Sequence, residues 1–198
     1  MQNVFLYVII FLGGFFMDIE KEITILNIDK ESFVKKLIDN GAEAITEELL
    51  QVRYTYDFEP VNPNKWIRLR TNGKKSTLTI KEIVDNTKIG GTKEWEIVVS
   101  DFEETNRILN ELGYTYRNRQ ENKRQVFMLA GVEISVDSWP LIPPYAEFEG
   151  KSEEDILALV KKLDISEKDI TTLDVTSIYN DIYGIDILKI KNLTFEGK

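Results

Sequence analysis

The sequence predicts an α+β fold: an eight-stranded antiparallel β-barrel, polar inside, with helices packed against its outer face. Three observations lead there. Eight segments alternate strictly between polar and apolar residues, the pattern of strands with one wet face and one dry face. Three further stretches carry apolar residues at helical spacing, and such helices need an apolar sheet face to cover. A strand–helix–strand pattern also recurs along the chain, and two copies paired into a closed barrel leave no exposed sheet edge.

In chain order the strands are Ile19 to Ile25, Gln51 to Phe58, Trp66 to Arg70, Ser76 to Lys81, Glu94 to Val99, Lys123 to Leu129, Val132 to Asp137 and Tyr145 to Glu149. The first helix runs from near Asp29 to Asn40, with Phe33, Val34, Leu37 and Ile38 on one face and Gly41 as its stop. The second starts at Ser100, where Glu103 completes a capping box, and stops at Gly113. The third starts at Ser152 and carries Ile156, Leu159, Val160 and Leu163 at helical spacing. Asn72-Gly73 and Gly90-Gly91 are hairpin turn signals. The repeat reads Glu20-Lys21-Glu22-Ile23, a helix ending at Gly41, then Gln51-Val52-Arg53-Tyr54. Its second copy reads Glu94-Trp95-Glu96-Ile97, a helix ending at Gly113, then Arg124-Gln125-Val126-Phe127. No proline-rich or low-complexity linker divides the chain, so residues 17–190 are expected to form a single domain.

Residues 1–16 stand apart as an apolar extension. Val4 to Phe16 carries no charge and falls short of the about 20 residues that a spanning helix needs. It also lacks the basic n-region and small-residue cleavage site of a secretory signal. Met17 opens MDIEKEITILNID, a clean start for a folded domain. The expectation is a start codon placed too far upstream, with an N-terminal membrane anchor as the alternative.

Composition narrows the chemistry. The chain has neither cysteine nor histidine, which excludes disulfides, thiolate and imidazole metal sites, and Ser–His or Cys–His nucleophiles. What remains is carboxylates, Lys, Arg, Tyr, Ser, Thr, or a metal held by oxygen, for which Mg²⁺ and Mn²⁺ are best suited. A net charge of −9 argues against indiscriminate binding to nucleic acid or an anionic membrane.

Successive strand residues point to opposite faces, so i and i+2 line up. Glu20 therefore shares a face with Glu22, Arg68 with Arg70, Thr79 with Lys81, Glu94 with Glu96, and Glu147 with Glu149. Glu133, Ser135 and Asp137 share another. Six of the seven arginines (53, 68, 70, 117, 119 and 124) lie in or beside strands, and only Arg107 falls on a helix. Arginines match phosphate oxygens and paired carboxylates hold a divalent cation, so a polyphosphate–metal complex satisfies both sets at once. Inter-strand salt bridges on a solvated face are the alternative.

These residues resemble the CYTH superfamily, also called triphosphate tunnel metalloenzymes, which includes class IV adenylyl cyclases, thiamine triphosphatases and inorganic triphosphatases. Glu20-Lys21-Glu22-Ile23-Thr24 stands where the family has Glu-x-Glu-x-Lys. The likeness continues in Gln51-Val52-Arg53-Tyr54-Thr55-Tyr56-Asp57, Trp66-Ile67-Arg68-Leu69-Arg70, Leu78-Thr79-Ile80-Lys81, Glu94-Trp95-Glu96, Lys123-Arg124, Val136-Asp137 and Tyr145-Ala146-Glu147-Phe148-Glu149-Gly150. The tail Ile178-Tyr179-Asn180-Asp181-Ile182-Tyr183-Gly184 is similar to the cyclase-like branch. The resemblance implies a tunnel with a triphosphate inside. Glu20, Glu22, Asp137, Glu147 and Glu149 would be metal-side carboxylates binding Mg²⁺ or Mn²⁺. Arg53, Arg68, Arg70, Lys81 and Arg124 would contact phosphates, with Lys81 and Arg124 closest to the chemistry. Glu94 and Glu96 would be further tunnel carboxylates.

Two departures stand out. Thr24 replaces the lysine that ends the first signature, and Asn122 replaces the lysine of a Lys-x-Arg pair completed by Arg124. Lys123, Arg119 and Lys93 are candidate substitutes from other directions. Three functions follow as expectations: a metal-dependent triphosphatase, a class IV-like adenylyl cyclase, or a non-catalytic phosphate-ligand binder. The ligand would be ATP, thiamine triphosphate or tripolyphosphate, with no nucleic acid or membrane partner and a cytoplasmic location. A homodimer stays open.

Overall fold

The computed structural model describes residues 18–197, with side chains from Lys21 to Gly197. The extension 1–16 and the side chain of Glu20 therefore lie outside the described residues. The strands are β1 (Asp18–Glu20), β2 (Glu22–Ile25), β3 (Glu43–Ala44), β4 (Leu49–Asn62), β5 (Lys65–Thr71), β6 (Ser76–Ile83), β7 (Thr92–Val99), β8 (Asn118–Leu129), β9 (Val132–Ser138), β10 (Tyr145–Glu149), β11 (Ile170–Thr171) and β12 (Asn192–Leu193). Three ten-residue helices, α1 (Lys30–Asp39), α2 (Phe102–Glu111) and α3 (Glu153–Lys162), interrupt them, and a single short turn of helix, α4 (Val175–Ser177), follows near the C-terminus. All eight expected strands are present. The first differs: it breaks at Lys21 into β1 and β2, each of which pairs differently.

That break closes the wall. The strand order is β1-β7-β6-β5-β4-β8-β9-β10-β2-β11, so β1 lies at one end of the path and β2 next to the other, inside only the two-residue β11, although only Lys21 separates them in sequence. Glu20 pairs with Thr92 of β7, while Glu22 pairs with Glu149 of β10. One segment thus joins both ends of the curled antiparallel sheet. Strand periodicity could not show the break, because it arises from tertiary pairing on two sides.

The dry core lies outside the barrel, under the helices. α1 and α3 cover Ile23, Phe127, Ile134, Val136 and Phe148 with Phe33, Leu37, Ile156 and Leu159. Phe33 and Phe148 meet with ring centroids 6.4 Å apart. α2 covers Tyr56, Ile67 and Leu69 with Leu109 and Phe102, the latter 4.8 Å from Tyr54. Each such buried side chain contributes roughly 1.5–3 kcal/mol relative to exposure. The α1 and α3 caps are Asp29, accepting from Ser32 N at 2.9 Å, and Ser152, accepting from Asp155 N at 3.1 Å. For α2 the expected Ser100–Glu103 box is off by one. Asp101 accepts from Glu104 N at 2.8 Å, an ionised oxygen being the better acceptor for a free helix N–H. Gly41 and Gly113 end α1 and α2 at φ 89° and 93°, a conformation that favours glycine.

The C-terminal segment has no long element. It closes one end of the barrel through a third cluster of Leu26, Trp139, Tyr145, Ile178, Tyr179 and Ile187. β12 then pairs in parallel with the start of β8. Among the described residues no helix is long and apolar enough to cross a membrane.

Candidate functional site

Alternation along the strands turns a charged set of side chains onto a cavity of about 700 Å³. Its basic wall is built by register. Arg53 of β4 lies directly across from Arg70 of β5, Thr55 across from Arg68, and Trp66 across from Lys81 of β6. Arg124 enters from β8. These cations repel one another. Burial, together with Arg68 and Arg124, lowers the Arg53 guanidinium to about 9, and Arg68, burial, Arg124 and Arg53 push Arg70 well down. A site that holds cations against such repulsion gains most from an anionic ligand.

Internal carboxylates balance part of this charge. Arg68 Nη2 lies 3.4 Å from both Glu94 Oε1 and Glu96 Oε2, and Lys81 pairs with Glu94. Glu96 Oε2 also accepts from Thr79 Oγ1 at 2.7 Å and lies 3.8 Å from Arg70. Glu94 and Glu96 therefore brace the basic wall.

The acidic wall faces them. Glu149 of β10 is flanked in register by Glu22 of β2 and Glu133 of β9, and all three line the cavity. Directly opposed residues on neighbouring strands have Cβ atoms about 4.5–5.5 Å apart, so this is a row of adjacent carboxylates. Glu147 lies two residues along, between Thr24 and Ser135, and receives Arg124 Nη2.

Asp137 differs from the expectation that it faces the cavity. It is fully buried and accepts from Arg124 Nε at 3.0 Å, Arg124 Nη2 at 2.6 Å and Asn122 Nδ2 at 2.5 Å. Burial raises its carboxyl above the usual range against the opposing pull of Arg124. Burial also opposes the Arg124 charge, but Asp137 and Glu147 outweigh it and hold that guanidinium well above its ordinary value. Strand parity gives the face of Asp137 correctly but not its depth.

The cavity thus gathers Glu22, Arg53, Arg68, Arg70, Lys81, Glu94, Glu96, Arg124, Glu147 and Glu149. The expected lysine substitutes do not reach it. Arg119 and Lys123 alternate to the other face of β8, where Arg119 donates to Glu121 at 2.6 Å and Lys123 lies 5.1 Å from the Phe195 ring centroid. Lys93 is out of phase with Glu94 on β7. Sequence reasoning missed Glu133 as a site residue, although its i, i+2 spacing to Ser135 was visible. It also missed Trp139, Tyr145, the Asp57–Arg117 pair and the C-terminal residues Leu173 to Ser177, all at the cavity.

Several buried donors there have no partner among the described residues: Arg53 Nε, Arg68 Nε, Arg117 Nε, Trp139 Nε1 and Tyr145 Oη. An unsatisfied buried donor costs about 1–3 kcal/mol, so a cluster of them in one cavity marks a place for ligand acceptors. Among the described residues no three carboxylates converge into a ready-made metal cage. The donor set nevertheless fits Mg²⁺ or Mn²⁺. It is all oxygen, and Mg²⁺ keeps several waters and binds through one or two carboxylates plus substrate phosphates.

A CYTH domain model matches residues 19–173, and the chain belongs to the CYTH domain family. Among solved structures it is similar to a conserved hypothetical protein from Pyrococcus furiosus, at 27% identity and a TM-score of 0.68, covering 79% of this chain and 97% of that one. A candidate adenylate cyclase from Vibrio parahaemolyticus aligns at 16% identity and a TM-score of 0.69, over 84% of this chain and 98% of that one. A candidate adenylyl cyclase from Hippeastrum with a dominant triphosphatase activity aligns at 13% identity and a TM-score of 0.55, over 86% and 98%. No curated protein matches the chain.

Proposed function

We propose that this chain is a Mg²⁺- or Mn²⁺-dependent triphosphatase that hydrolyses a phosphoanhydride of an inorganic or organic triphosphate inside the barrel. The observation that carries the reading is the opposition of two walls in one cavity. Arg53, Arg68, Arg70 and Lys81 stand on β4, β5 and β6, the row Glu22, Glu149 and Glu133, with Glu147, stands on β2, β10 and β9, and Arg124 of β8 lies between the two sets, paired with Glu147.

Glu22, Glu147 and Glu149 would hold the cation, and Glu20 joins them by its place in the signature. A divalent cation held by these carboxylates would supply charge stabilisation to the phosphates during their transfer. The arginines bind and orient the phosphate chain by forked hydrogen bonds. Glu94 and Glu96 keep Arg68, Arg70 and Lys81 in place before the ligand arrives, so little reorganisation is needed during reaction. Asp137 does the same for Arg124 from below.

Thr24 and Asn122 favour a second reading, binding without turnover. Thr24 is buried beside Glu147, and Asn122 is fully buried between Arg53 and Asp137, so neither position supplies a cation. Incubation with ATP, thiamine triphosphate and tripolyphosphate under Mg²⁺ or Mn²⁺ separates the readings. Orthophosphate release is expected. Cyclic AMP with pyrophosphate would mean a cyclase, and ligand retention without product would mean a binding protein.

A further inference from the structure

β7 is covered along its whole length on one side and only at its start on the other. β6 pairs with every residue from Thr92 to Val99, whereas β1 pairs with Thr92, Lys93 and Glu94 alone. Among the described residues no strand pairs with Trp95 to Val99 on the β1 side. That bare edge is apolar on both faces. Ile97, on the outer face with Trp95, is 61% exposed, and Val98, on the inner face with Glu96, is 64% exposed. Edge strands are ordinarily blunted by lysine, proline or a bulge. Trp95-Glu96-Ile97-Val98-Val99 has none of these, and its register on β6 is unbroken. Such an edge calls for a covering strand.

The chain itself brings one there. β1 runs antiparallel to β7, with Asp18 opposite Glu94, Ile19 opposite Lys93 and Glu20 opposite Thr92. The same register, continued towards the N-terminus, sets Met17 against Trp95, Phe16 against Glu96 and Phe15 against Ile97. Gly14 and Gly13 then fall against Val98 and Val99, and β7 ends at Val99. Three uncharged apolar residues thus stand where β7 is bare, and two poor strand formers stand where it stops.

We propose that Gly13 to Met17 continue β1 along the bare edge of β7 and complete the barrel wall there. Directly opposed residues share a face, so Phe15 and Met17 cover Ile97 and Trp95 outside, and Phe16 lies against Glu96 inside. Glu96 Oε2 is 3.4 Å from Arg68 Nη2 and 3.8 Å from Arg70 Nη2, so the added strand shields the ion pairs that hold the basic wall. The occupant is this segment and not a second copy of the chain. Asp18 already holds it beside Glu94, so no loop has to be closed and no freedom of association is lost. Residues 13–16 thereby gain a place in the fold, against the expectation that the chain starts at Met17.

The chain has no cysteine, so two cysteines placed in it can pair only with each other or with those of a second copy. The full chain carrying Phe15→Cys with Ile97→Cys is compared with one carrying Phe16→Cys with Ile97→Cys. Opposed residues of an antiparallel pair have Cα atoms about 4.5–5.5 Å apart, within disulfide range. A cysteine at position 16 points to the other face and cannot reach position 97 without breaking the strand. Ile97 is exposed, so its replacement leaves the core intact, and thermal unfolding of the reduced proteins checks this. Under air oxidation with copper–phenanthroline, followed on non-reducing denaturing gels, the first pair should form its intrachain bond about tenfold faster than the second. Equal rates would mean that the segment has no register on β7, and no intrachain bond in either pair would mean that it lies elsewhere. Bonds between chains would mean that a second copy covers the edge. Each of these three results overturns the proposal.

Discussion

Asn122 accepts a hydrogen bond from the buried guanidinium of Arg53, and its amide donates to Asp137 at 2.5 Å. A neutral bracket thus joins a cation to an anion where the family resemblance leads one to expect a lysine. Asn122→Ala leaves a buried charge short of a partner on each side. It should destabilise the protein by about 1–3 kcal/mol, read by denaturant unfolding. A loss below about 0.5 kcal/mol would mean that Arg53 and Asp137 find other partners.

Arg70 is held beside three other arginines, with Glu96 at 3.8 Å as its ion-pair partner. Arg70→Gln should raise the stability of the empty protein by on the order of 1 kcal/mol. It should also weaken tripolyphosphate binding by about 1.5–3 kcal/mol, the worth of a charge-assisted hydrogen bond. Opposite signs for the two effects are the signature of a ligand site. If stability and binding both fall, Arg70 serves the fold.

Thr24 lies directly across β2–β10 from Glu147 and is buried at the cavity wall. Thr24→Lys therefore places its ammonium near a carboxylate, and the variant should fold. Tripolyphosphate affinity should then rise about tenfold to a hundredfold, as a new charge-assisted contact allows. Equal or weaker affinity by calorimetry would show that the cavity is adapted to its missing lysine.

Glu96 supplies a pH dependence with a definite sign. Burial raises its carboxyl, but the Thr79 hydrogen bond and the charges of Arg70 and Arg68 outweigh it and hold it below 4.5. A carboxylate lowered on folding stabilises the protein above its unfolded value, and that contribution disappears as pH falls through the lowered one. Wild-type stability should therefore fall in acid below about pH 4.5, and Glu96→Gln should flatten that fall. Parallel acid profiles for the two proteins would contradict this role.

Much of this was legible because strand periodicity survives an inverted barrel. Arg68 with Arg70, and Glu147 with Glu149, alternate against apolar partners just as solvent-facing residues would. The apolar partners went under helices, so the charged sets turned inward. Depth was not legible: Asp137 shares the parity of Glu133 yet lies beneath Arg124, because a long guanidinium covers a short carboxylate. The closing end was not legible either. Leu173, Val175 and Leu188 belong to short turns without a period, and their place at the cavity depends on tertiary packing against Trp139 and Tyr179.

The central claim is that one cavity binds phosphates on its arginine wall and a divalent cation on its carboxylate wall. A crystal structure with tripolyphosphate and Mn²⁺, read by the anomalous signal of the metal, tests it most directly. The account predicts a manganese peak at Glu22, Glu147 and Glu149, with phosphate density against Arg53, Arg68, Arg70 and Arg124. Phosphate and metal bound elsewhere, with the Arg124–Glu147 contact intact and the cavity holding only water, would contradict it.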